Sequence, residues 1–181
     1  FQNPYAEVVV TVFMVLSGIN FTLYYRMVIK DLDRVRNDSE LKAYLGLFLF
    51  LVVVVTVNLW SKGTFGSWGV SLRKGAFQVA TLMTSTGFAT ADYTLWPELS
   101  QSVLLLMLFI GGCVGSTSGG IKMFHVTVLG QLVAQQMKRL IHPSGVFCLR
   151  LNKKPLSNDI IVATVGFVTL YISLVLLSTM V

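Results

Sequence analysis

The chain has 181 residues, 54% of them hydrophobic and only 12% charged, with a mean hydropathy of +0.73. A soluble domain carries about a quarter of its residues as charges, so these figures exclude one and place the chain in a bilayer. A net charge of +6 would suit nucleic acid in a soluble protein; here Lys and Arg bracket apolar runs and read as topology signals, so membrane lipid is the expected surrounding and no nucleic acid is expected.

Residues 8–25, 43–61, 99–121, 123–137 and 160–181 carry no charge, and spans of about 20 apolar residues match a hydrocarbon core of roughly 30 Å. The chain begins at Phe1 and its last apolar run reaches the final residue, which reads as an internal segment of a longer protein. The first run, interrupted by Ser17, Gly18, Ile19 and Asn20, ends in a basic stretch at 26–42. Run 43–61 is the clearest spanning helix, and the Gly-rich aromatic loop after it, with Trp60 and Trp68, suits an interface.

A short helix of about three turns is expected over 73–84, too short to cross. Residues 75–91 then form a 17-residue stretch without a charge that holds Gln78, five Ser/Thr and two glycines. This pattern predicts a re-entrant hairpin, helix in and extended out. Non-helical backbone at membrane depth is tolerated only beside protein or a water-filled path, so the loop lines something wet. Thr84, Ser85, Thr86, Gly87 and Phe88 read as one wall of an ion-selectivity filter whose carbonyls replace the water around a monovalent cation. The alternative is a Ser/Thr-rich turn. Asp92 follows at the outer mouth, or as an ordinary loop acid.

Residues 99–137 are 39 long with one charge, Lys122. One straight helix would measure about 58 Å, so a break is expected in the middle. Glycine costs about 1 kcal/mol per helical site relative to alanine, and the cluster Gly111, Gly112, Cys113, Val114, Gly115, Ser116, Thr117, Ser118, Gly119, Gly120 therefore predicts an unwound intramembrane loop, placed to act as a gate. Its rival is small-residue helix packing. The cluster approaches a phosphate-binding loop but has Ile121 inserted before Lys122 and Met123 where Ser or Thr is needed. Lys122 is expected to snorkel or cap carbonyls. Asn20, Gln78 and His125 are expected as interhelical hydrogen-bond partners.

Lys138, Arg139, Arg150, Lys153 and Lys154 form a second basic region around a turn at His142, Pro143, Ser144 and Gly145. Residues Ser157, Asn158 and Asp159 offer N-cap chemistry for the last span. With 75–91 re-entrant, two crossings separate the basic regions, so both are cytoplasmic: five positive charges in each face three outside, at Lys62, Arg73 and Lys74. Cys113 and Cys148 have no metal-ligand spacing and read as free thiols. No catalytic constellation, transition-metal site or organic cofactor is expected. A solute-coupled transporter with a broken-helix midplane site and a non-transporting scaffold stand as rivals to permeation.

The run from Thr84 to Tyr93 with Trp96-Pro97, the run from Phe109 to Lys122, and Lys138-Arg139-Leu140-Ile141-His142-Pro143 resemble, collinearly over nearly the whole chain, the Trk/Ktr family of potassium-uptake membrane subunits, TrkH type. The resemblance implies an all-α membrane protein built of helix–pore-loop–helix repeats around a pseudo-fourfold pore. It implies potassium as the permeating ion, a homodimer in the bacterial inner membrane, and a cytosolic ring of nucleotide-binding regulatory subunits. It further implies an inner helix of repeat two at 1–30, a cytoplasmic linker at 31–42, and a complete repeat three at 41–140. That repeat comprises an outer helix at 43–61, pore helix and filter at 73–92, and a broken inner helix at 98–140 with its gate loop at 111–120. A cytoplasmic loop at 141–158 and the outer helix of repeat four at 159–181 complete the assignment. Residues 84–88 would be one of four filter strands and 113–120 the obstruction beneath. Ala89 stands where tetrameric potassium channels carry a second glycine, which implies a shorter carbonyl column and looser selectivity. Ser118 stands where the family often has glycine, which implies a stiffer loop.

Overall fold

The computed structural model describes residues 3–141, 150–152 and 154–180. The turn expected at 142–145 and the thiol of Cys148 lie outside the described residues. Eight α-helices are described: α1 Pro4–Ser17, α2 Phe21–Val28, α3 Leu32–Arg36, α4 Ser39–Ser61, α5 Trp68–Met83, α6 Glu98–Met107, α7 Met123–Ile141 and α8 Asn158–Thr179. A 3-10 turn, Tyr93–Leu95, precedes α6, and β1 Arg150–Leu151 pairs antiparallel with β2 Lys154–Pro155.

Among the described residues α4 and α8 are long and apolar enough to cross a membrane, and α1 with α2 would make a third span, bent by 93°. The bend falls at the interruption at 17–20 within the inner helix expected over 1–30. Its cause is local: Asn20 accepts from the Thr22 amide at 2.8 Å and so caps a new helix. Tyr44 of α4 is fully buried there, its hydroxyl donating to Val15 O at 3.0 Å.

Helix ends also move. α4 begins at Ser39 rather than 43, inside the stretch expected as linker, because Asp38 accepts from the Leu41 amide at 2.8 Å. The residues before it are partly ordered as α3. α5 begins at Trp68 rather than 73, with Ser67 as its N-cap, so it takes up the end of the expected interface loop. At 16 residues it is still only about 24 Å long. Trp60 and Trp68 meet edge to face at 5.6 Å. Ser157 occupies the N-cap position of α8, but its side chain makes no capping bond.

The core lies on α4. Val52, Val55 and Leu59 pack with Val79 of α5 and with Leu104 and Met107 of α6. Tyr44 joins a second cluster with Met83, Cys113, Met123 and Ile19, which gathers the end of α5, the α1–α2 bend and the start of α7 at one level. Chain segments of low helix propensity all converge there.

Candidate functional site

α5 ends in a Schellman motif. The Thr86 amide donates to Thr81 O at 2.9 Å and the Ser85 amide to Leu82 O at 3.2 Å. The motif needs a left-handed residue at Ser85, which sits at φ +55°, and Gly87 reverses the backbone again at φ +81°. Glycine is the usual occupant of the first position, and a residue with a Cβ there costs about 1–2 kcal/mol. Serine brings a compensating contact, since its Oγ accepts from the Gly119 amide at 3.3 Å. Thr84 is buried, its hydroxyl donating to Ala80 O at 2.7 Å and lying 2.7 Å from the Thr86 hydroxyl. These hydroxyls brace the turn. Ser85, Thr86, Gly87, Phe88 and Ala89 are exposed and non-helical.

The outgoing strand is held by a buried ion cluster absent from the sequence reading. Glu7 of α1, only 2% exposed, meets Lys74 Nζ at 2.6 Å and Arg73 Nε at 2.7 Å, the latter a charge contact off the hydrogen-bonding angle. Lys74 also donates to Thr90 O at 3.1 Å. Arg73 and Lys74, taken from sequence as exterior charges, therefore link α1, α5 and the strand. Glu7, a lone acid at the edge of an uncharged run, was the available signal.

From Leu108 to Lys122 the chain is non-helical. The ends of this loop close on each other: the Ile121 amide donates to Phe109 O at 2.9 Å and the Gly111 amide to Ile121 O at 2.8 Å. Its middle docks on the α1–α2 bend, the Cys113 amide donating to Gly18 O at 2.9 Å and the Phe21 amide to Gly115 O at 3.1 Å. Thr117 Oγ1 donates to Ser17 O at 3.2 Å. Ser118, buried, accepts from the Gly112 amide at 2.7 Å and lies 2.8 Å from the Ser116 hydroxyl. Cys113 is fully buried; Val114 and Gly119 are exposed, and Gly115 and Gly120 adopt φ +76° and +72°. Lys122 Nζ caps Ser118 O. The structure thus brings 84–88 and 111–120 into direct contact, through Ser85 and Gly119.

Glu40 was missed. It opens α4, is 8% exposed, and its Oε1 accepts from the Val114 amide at 2.6 Å and the Phe124 amide at 3.1 Å. Helix patterning carries no trace of these bonds, because both donors are backbone. Asp92 accepts from the Thr94 amide at 3.0 Å and hydroxyl at 2.6 Å, capping the 3-10 turn, and those bonds hold its carboxyl below the usual range. Among the described residues, the interhelical hydrogen bonds expected of three polar residues are not seen. Asn20 caps its own helix, and the His125 ring lies on Phe167 of α8 at 4.8 Å. Gln78 is buried with its Oε1 unpaired among the described residues.

A family model described as TrkH, cation transport protein, matches residues 1–181. The Trk system potassium uptake protein TrkH of Salmonella typhimurium is 33% identical over 94% of this chain, and TrkG of Escherichia coli K12 is also 33% identical over 94%. The chain spans only 36% and 35% of those relatives. The crystal structure of the potassium transporter TrkH from Vibrio parahaemolyticus superposes with a TM-score of 0.86 at 28% identity, over 93% of this chain and 37% of that one. A mainly helical fold with a short helix ending in an extended strand, a broken helix beneath it, and a family match over every residue lead to one conclusion: the chain belongs to the TrkH family of cation transport proteins.

Proposed function

We propose that this chain is part of a potassium-uptake channel of the bacterial inner membrane, in which K⁺ passes down its electrochemical gradient and no chemical reaction is catalysed. Residues 84–88 form one of four filter strands, with Asp92 at the outer mouth, and residues 113–120 form a gate loop beneath it. Residues 41–140 act as a complete helix–pore-loop–helix repeat, preceded by an inner helix at 1–30 and followed by an outer helix at 159–181. The intact protein works as a homodimer, and its basic cytoplasmic stretches, 26–42 and 138–158, face a nucleotide-binding regulatory subunit.

The observation that carries this reading is the Ser85–Gly119 contact. It couples an exposed strand with two left-handed residues to an unwound loop packed against a bent helix. A scaffold that merely packs small residues has no need of an exposed, doubly reversed strand. The end of α5 also suits a cation, since the negative end of a helix dipole points toward the turn.

Gly87 supplies the test. A Cβ there meets nothing within 4 Å, so Gly87→Ala acts through its φ of +81° alone. In the full-length protein, this substitution is expected to abolish K⁺ uptake or its discrimination from Na⁺, measured as ion flux into proteoliposomes. Unchanged K⁺/Na⁺ discrimination would refute the filter.

A further inference from the structure

We infer that Glu40 is a positioning residue that latches the 111–120 loop in its resting pose, and that the β1–β2 hairpin loads this latch through Asn152. The inference rests on reading that loop as a gate.

One carboxylate oxygen, Glu40 Oε1, accepts from two amides that flank most of the loop, Val114 at 2.6 Å and Phe124 at 3.1 Å. Phe124 lies in the first turn of α7, where unpaired amides and the positive end of the dipole favour an anion. The two bonds tie the loop's entry to the helix that follows it. Lys122, which caps Ser118 O, closes the same segment from within. Glu40 makes no ion pair among the described residues. Its partners among the described residues are these backbone amides, and its removal would leave two part-buried donors without their acceptor.

Glu40 is the second residue of α4, and the start of that helix is held from the cytoplasmic hairpin. Asn152 stands between β1 and β2 in the left-handed region, φ +49°, which asparagine tolerates better than most residues. From there its Oδ1 accepts from the Ser39 amide at 2.7 Å and its Nδ2 donates to Asp38 Oδ2 at 3.0 Å. The other Asp38 oxygen caps the Leu41 amide at 2.8 Å. Asn152 and Glu40 therefore act at the same helix end, one holding its first residues and the other reaching from it to the loop. A displacement of the hairpin removes the brace that fixes the Glu40 backbone and frees the carboxylate from Val114. A cytosolic partner acting on the hairpin would in this way reach an intramembrane loop without touching it.

Cys113 reports the loop's position, being fully buried beside Val114. In full-length protein where Cys113 is the sole thiol, its labelling by a water-soluble methanethiosulfonate is measured together with K⁺ flux. Two charge-assisted bonds are lost in Glu40→Ala, and labelling is expected to rise about tenfold or more, with raised basal flux. Asn152→Ala, at an exposed position, is expected to raise both severalfold. Glu40→Gln keeps an accepting oxygen and should label nearer to the parent than to the alanine variant. The K⁺/Na⁺ ratio should not change, since the filter turn is untouched. Parent-like labelling in both alanine variants overturns the latch, as does a glutamine variant that labels like alanine. If Glu40→Ala fails to fold, Asn152→Ala decides. A parent protein that conducts no K⁺, while labelling responds as stated, refutes the permeation reading and leaves the latch standing.

Discussion

At Gly111 a methyl group has nowhere to go: an added Cβ would lie 1.9 Å from Gly119 O. At Gly112 it would lie 2.5 Å from Gly18 O, and at Gly18 it would lie 2.2 Å from the hydroxyl of the fully buried Tyr44. At Gly111 and Gly112 the nearest atom is a backbone carbonyl oxygen, so no rotamer change relieves the clash; at Gly18 it is the ring end of a buried tyrosine. Gly111→Ala is expected to destabilise the full-length protein by about 3 kcal/mol, the upper end of overpacking costs. Gly46→Ala, in α4 with open space around its Cβ, should be neutral or stabilising by up to about 1 kcal/mol. Thermal melts in detergent distinguish the two, and equal midpoints would refute the close-packing account. The Gly/Ser cluster was visible in the sequence as a place where helix is disfavoured. Its partner was not, because Gly18 lies far away along the chain and the contacts to it run through a carbonyl that every residue possesses.

Between elements, the ion cluster of Glu7, Arg73 and Lys74 fixes α1 to α5 and, through Thr90 O, fixes the outgoing strand to the helix that leads into it. Lys74→Met should cost about 3 kcal/mol, because it removes one partner of a buried acid and leaves Thr90 O without that donor. It should also loosen K⁺/Na⁺ discrimination. The double variant with Glu7→Gln should fall short of the sum of the single effects by about 1 kcal/mol. Additive losses would mean that the pair does not act as a unit. Helix existence was legible from hydropathy, as in α4 and α8, whereas helix starts were not. α4 begins at Ser39 because of Asp38, and α5 at Trp68 because of Ser67; both caps lie in stretches whose polarity and glycine content read as loop. A short helix running into a non-helical strand was legible because length and polarity jointly disfavour a span. Its charges were assigned a side of the membrane but no partner, since charge counting sees Arg73 and Lys74 and has no means of pairing them with Glu7 across the chain.

Across the whole molecule, the loop at 111–120 is where the α1–α2 bend, α4, α7 and the end of α5 converge, each contributing at least one hydrogen bond to it or to its immediate flank. Most of those bonds use loop backbone, and a loop of this composition carries little conformational preference of its own. Its pose is therefore set by the surrounding elements, which is the property a gate requires: shifting a neighbour shifts the loop. Deleting residues 115–119 removes the contacts to Phe21, Ser17 and Ser85 and the Ser118 carbonyl that Lys122 caps, while the Ile110–Ile121 bridge and the Phe109–Ile121 bond closing its base lie outside the deletion. Basal K⁺ flux through the full-length protein should rise severalfold or more, and the response to any cytosolic partner should diminish, because the element that partner moves is gone. The Gly87 turn should still discriminate K⁺ from Na⁺, since the Thr86–Thr81 and Thr84–Ala80 bonds that shape it are internal to α5 and its end. A deletion that leaves flux unaltered would show that the loop does not obstruct the path. A deletion that raises flux but erases discrimination would show that Gly119 supports the filter through Ser85 as well as standing beneath it.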